Sequence, residues 1–178
     1  MTPKYEITDI KHPGNPQLFR IRALRNIPRV NAKAGDLGGY IEKESNLSQE
    51  GDCWISDDSV VYKNAQVSGD AHIFEHSYVF ENAKVCENAR IFNKVWVYGN
   101  ASVSGNAQVY GDTWVSGDAI INEGMIIFGK GRIILTSSAQ IYYADGVTAY
   151  FNLNGELTVN GSSPDIEHHK MLARLKLS

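Results

Sequence analysis

Cysteine is scarce in this chain, with only Cys53 and Cys86 among 178 residues. With no signal peptide and no long apolar span, the two read as reduced thiols of a cytoplasmic protein, and no membrane contact is expected. Excess positive charge is missing as well. A formal net charge of −3 and a pI near 5.9 argue against a broad nucleic-acid surface, which needs Lys and Arg concentrated on one face. Only local basic spots remain. A composition of 43% hydrophobic and 21% charged residues is that of an ordinary globular domain and excludes disorder as a global description.

A six-residue beat fills the middle of the chain. The stretch "YGNASVSGNAQVYGDTWVSGD", residues 98–118, repeats small-x-Val-x-Gly-Asn/Asp. Counting in sixes from Ala101 gives mostly small residues from Cys53 to Gly131. Two places after each stands Ile or Val, from Ile55 to Ile133, in fourteen consecutive hexads. Ile and Val total 29 of 178 residues, so chance does not produce such a column. Side chains alternate along a strand, so the first and third positions share the inner side and the second and fourth face out. The fifth and sixth positions, Gly-Asn, Gly-Asp or Glu-Asn in type, suit a left-handed corner. One short strand and one bend per repeat is the signature of a β-solenoid.

The repeat resembles the hexapeptide-repeat superfamily over residues 47–136. That resemblance implies an all-β fold: a left-handed parallel β-helix with three hexads per triangular coil and about five coils. Residues 1–46 break the beat and are expected to form an N-terminal cap, with "YEIT" and "FRIRAL" as a hairpin joined by "DIKHPGNPQ". Residues 137–178 are expected to form a C-terminal hairpin around Asn154-Gly155 and a short α-helix with Ser163 as N-cap. Ala34-Gly35, Gly38-Gly39, Asn46-Leu47-Ser48-Gln49 and Gly51-Asp52-Cys53-Trp54 also resemble the opening of a bacterial and tailed-phage family of such proteins. Some of its members carry only a transferase label.

With three hexads per coil, residues eighteen apart stack on one face. One face then carries Val60, Tyr62, Tyr78, Phe80, Trp96, Tyr98 and Trp114, and a second carries Trp54, His72, Phe74, Arg90, Phe92 and Tyr110. The third, with Gln66, Lys84, Cys86 and Ser102, is polar. Two aromatic faces call for a cover, and the superfamily resemblance implies homotrimerisation. A small molecule or a protein docked on the ladders is the sharper expectation. Corner columns such as Asn64, Asn82, Asn100 and Asp118 are expected to hydrogen-bond along the axis.

Chemistry is harder to find. Acyl transfer from coenzyme A, the activity that the resemblance implies first, needs a histidine base, and His76 is the candidate. However, no inserted loop interrupts the fourteen hexads to build a pocket. Three convergent histidines for zinc are lacking, and so are a metal-type cysteine pair and a glycine loop opening a helix. The leading expectation is therefore a non-catalytic, homo-oligomeric binding protein or scaffold that uses its aromatic faces for assembly and partner binding; the resemblance to the bacterial and tailed-phage family implies that it is encoded by a phage or prophage. A coenzyme A-dependent acyltransferase is one alternative. Another is a counter-defence protein that sequesters a small nucleotide signal between subunits, stacking the base on aromatic rings while Lys84, Arg90 or Lys94 meets phosphate.

Overall fold

The computed structural model describes residues 3–122, 126–127, 130–135, 148–151 and 157–160. The chain is all-β, with two short 3-10 turns, Pro28–Val30 and Glu44–Asn46, as its helical content among the described residues. Parallel strands stack into a β-solenoid of about five turns, as the six-residue beat predicts. Its rungs fall into three sheets. The second holds Trp54–Ile55, His72–Ile73, Arg90–Ile91, Gln108–Val109 and Ile126–Ile127, and the third runs from Gln66–Val67 to Ile120–Ile121. The first is longer, because the cap joins it at one end and the antiparallel pair Thr148–Phe151 and Leu157–Asn160 at the other. That pair stands where the C-terminal hairpin is expected; the expected Asn154-Gly155 turn and the expected helix lie outside the described residues. Among the described residues no helix is long and apolar enough to cross a membrane.

The beat works because each of its positions has one task. Every Ile or Val of the inner column from Ile55 to Ile127 is buried, and so is every small residue two places earlier from Cys53 to Ala119. Neighbouring coils pair in an eighteen-residue register, for example Val60 with Tyr78 and Tyr78 with Trp96. The left-handed bend falls on the fifth position, whether that residue is glycine or not: φ is 64° at Glu75, 61° at Glu81 and 58° at Glu87. A side chain in that conformation is strained, but here it has a use. Glu81 accepts a hydrogen bond from the Gly99 N–H at 2.9 Å, and Glu87 accepts one from the Gly105 N–H at 2.7 Å. Each carboxylate thus satisfies a corner donor of the next coil. The expected Asn64–Asn82–Asn100–Asp118 column is present, with links of 3.3, 3.1 and 2.9 Å.

The cap begins as a hairpin of β1 (Tyr5–His12) and β2 (Asn15–Ala23), with longer strands than the sequence suggests. β3 (Leu37–Ile41) is antiparallel to β2 and parallel to Val60–Val61, so parallel pairing starts at Tyr40–Ile41. There the register is twenty residues, since Ile41 pairs with Val61 and Leu47 with Val67, whereas Ile55 pairs with Ile73 at eighteen. Two extra residues therefore lie between Leu47 and Ile55. β3 also corrects two outward assignments. Trp54 is only 2% exposed, because Gly38 gives it room: a Cβ there would lie 2.6 Å from Trp54 Cζ2. Val60 is buried beneath Leu18 and Tyr40.

One buried lysine fastens this joint. Lys4 has no exposed surface, and its Nζ donates to the carbonyls of Cys53 (2.9 Å), Glu50 (3.3 Å) and Gly51 (3.4 Å). It also lies 3.0 Å from Cys53 Sγ. Gln49 clamps the same strand: its Oε1 accepts from Lys4 N–H at 2.8 Å, and its Nε2 donates to the Tyr5 carbonyl at 3.2 Å. Lys4→Met keeps the length but strands these carbonyls without a donor. It is expected to lower stability by about 1–3 kcal/mol, read as a lower urea midpoint with an unchanged denaturant slope.

Candidate functional site

The first sheet displays two aromatic columns side by side. In the outer column Trp96 stacks on Trp114 with centroids 4.9 Å apart and planes at 5°, and meets Tyr78 at 5.5 Å. In the other column Phe80 stacks between Tyr62 at 5.1 Å and Tyr98 at 5.0 Å. An edge contact of 6.0 Å between Phe80 and Trp96 ties the two together. The eighteen-residue register sets this spacing, since each ring inherits the separation of its strand from the next. Burial and the nearby Glu81 carboxylate push the Tyr62 phenol above its ordinary pKa. The cap covers the N-terminal end of the ladder, where the Arg20 guanidinium lies 4.6 Å from the Tyr40 ring centroid and His12 meets its edge. Beyond that cover Trp96 stands 37% exposed.

The second sheet carries a shorter ladder, with Phe92 between Phe74 at 4.8 Å and Tyr110 at 4.7 Å. The Arg90 guanidinium lies over Phe74 at 5.4 Å and over Phe92 at 5.9 Å. His72 stacks on Phe74 at 4.4 Å, and its Nε2 is 2.8 Å from Ser56 Oγ. Burial and then the Arg90 charge lower its pKa to about 4, against a weaker opposing pull from Asp57. An imidazole held neutral in this way serves packing better than proton transfer near neutral pH.

The other candidates do not converge within one chain. His76 sits at an exposed corner, and its ring makes no hydrogen bond or ion pair with the described residues. Lys84 belongs to the third sheet, Arg90 to the second, and Lys94 to the following corner. Cys86 is half-buried, and burial followed by the Glu87 charge pushes its thiol up. Cys53 is likewise pushed up by burial, which outweighs the lowering effect of Lys4. No group of three or more His, Cys, Asp or Glu among the described residues could hold a metal ion.

Sequence reasoning missed a concavity at the cap joint. A half-open cleft of about 930 Å³ lies beside the two extra residues, walled by Tyr5, Ile7, Leu24, Glu44, Gln49 and Glu50. His76 is not among its lining residues. The available signal was the spacing of the inner apolar residues, which is six from Ile41 to Leu47 but eight from Leu47 to Ile55.

The depressed pKa of His72 has a measurable consequence. Between about pH 6.5 and 4 the unfolded imidazole binds a proton that the folded one refuses. Its contribution is therefore complete above pH 6.5 and is lost as pH falls toward 4, by roughly 3 kcal/mol at most. Unfolding midpoints across that window should show this acid limb, and His72→Gln should flatten it.

No protein-family model matches the chain, and no curated protein matches it.

Proposed function

We propose that this protein is a non-catalytic, homo-oligomeric β-solenoid, phage- or prophage-encoded and acting in the cytoplasm, that uses its aromatic faces to assemble and to hold a partner. The single observation that carries this reading is Trp96. A tryptophan ring 37% exposed in the middle of a stacked ladder is an expensive surface to leave in water, and buried tryptophans dominate the energetics of protein interfaces. The partner favoured for this face is a second copy of the chain, and the favoured stoichiometry is a trimer. A flat, regular column of rings suits self-association, because the same rigid relief is offered by every copy.

Light scattering at micromolar concentration should then give a trimer, and a monomer would remove this explanation of the ladder. Trp96→Ala should weaken assembly by about thirtyfold or more, the loss expected of a tryptophan hot spot. An oligomer unchanged by Trp96→Ala would place the interface elsewhere.

Arg90 favours a second reading. A guanidinium lying over a phenylalanine ladder combines a stacking surface with a cation, as a small nucleotide would require. Mass spectrometry of molecules released on denaturing the purified protein should then detect a nucleotide, and Arg90→Ala should release none. A wild-type preparation from nucleotide-rich cells that yields none counts against this reading.

A further inference from the structure

The six-residue beat builds a surface of ladders and corners, and it is interrupted by two extra residues where the cap joins the first coil. The 930 Å³ cleft lies there, within the size range of small-molecule sites. Its walls are held in place. Gln49 clamps the backbone of Lys4 and Tyr5, Lys4 Nζ binds the carbonyls of Glu50, Gly51 and Cys53, and the Tyr5 hydroxyl donates to the carbonyl of Leu47 at 2.7 Å. A cleft with such fixed walls does not have to be ordered by its ligand.

The chemistry of the lining is one-sided. Tyr5, at 1% exposure, forms the bottom, with Ile7 and Leu24 as apolar walls. Charges stand at the rim. The Arg25 guanidinium is already engaged, donating to the Gly51 carbonyl at 3.1 Å and lying 3.5 Å from the Asp52 carboxylate. Glu6 is paired with Arg22 at 3.0 Å. The exposed carboxylates of Glu44 and Glu50 have no cation within ion-pair distance among the described residues. The field of Glu44 reaches the interior, where after burial it is the next cause holding the Tyr5 phenol in its protonated form. Among the described lining residues the one cationic side chain, Arg25, is already engaged, so an anion would meet a negative rim there, and a purely apolar ligand would leave both carboxylates unused.

We infer that this cleft is a binding site for a small organic cation, an alkyl or aryl-alkyl ammonium whose apolar body lies against Tyr5, Ile7 and Leu24 and whose charged head meets Glu44 and Glu50 at the rim. The site lies on the cap and is independent of the aromatic ladders. It therefore stands or falls separately from the assembly proposed above.

The test compares three probes of nearly equal shape, 2-phenylethylamine, 2-phenylethanol and 3-phenylpropanoate, titrated into the full chain while the methyl resonances of Ile7 and Leu24 are followed by NMR. The amine should saturate those shifts at least about tenfold more tightly than the alcohol, with the carboxylate weakest. Added salt should narrow the difference, because the rim carboxylates are exposed. The double variant Glu44→Gln/Glu50→Gln should bring amine and alcohol together, whereas Leu24→Ser should weaken both. The inference is overturned if the amine produces no saturable shift by about 10 mM. It is equally overturned if the alcohol binds as tightly as the amine, or if the double variant keeps the preference.

Discussion

The rest of this structure depends on the eighteen-residue parallel register of the main chain. Strand after strand, a backbone N–H reaches a carbonyl one coil further on: Tyr78 to Val95 at 2.8 Å, Tyr98 to Val115 at 2.9 Å, Ser102 to Ala119 at 2.7 Å. The register forces equivalent residues into columns, and each column then acts as a unit. Inner Val and Ile form a continuous core that no single coil could close alone. Ring columns stack because their backbones are already spaced for it. The corner carboxylates of Glu81 and Glu87 accept from Gly99 and Gly105 for the same reason, which gives a strained conformation at each corner an acceptor in a useful place.

Most of this was legible in the sequence, because a periodic fold repeats its evidence. The inner column, the small residues before the corners and the asparagine ladder could all be read from spacing. Where the period stops, legibility stops with it. Trp54 and Val60 look outward by count, yet β3 covers them, and β3 lies two residues out of phase with the beat. Nothing in a six-residue count shows that Gly38 makes room for an indole ring. The stretch from Ala34 to Trp54 proves to be the joint between cap and solenoid. Asn46 is fully buried and donates to the carbonyls of Lys63 and Ala65, and Gln49 holds the first strand.

The candidate sites divide along the same line. The ladders are repetitive, so Tyr62, Phe80, Tyr98 and Trp96 could be named in advance. Their angles and their partial cover by the cap could not. The cleft is assembled from β1, the turn after β2 and the residues around Gln49, segments far apart in the chain with no shared period. Its residues were therefore invisible to pattern, and so was the role of Lys4, an isolated charge near the start of the chain that turns out to be buried completely.

The two extra residues of the first coil also bear on how long such a body can be. A stack of identical eighteen-residue turns contains no instruction to end, and an open rung would template another chain as readily as its own. A twenty-residue turn ends that uniformity. Its rungs still pair in step with the coil beneath, Ile41 on Val61 and Leu47 on Val67, but the other edge of β3 is taken by the antiparallel hairpin of β1 and β2. A second solenoid arriving at this edge of the first sheet meets an antiparallel hairpin in place of a free parallel rung, so the turn that departs from the eighteen-residue repeat is also the one that closes that sheet to extension.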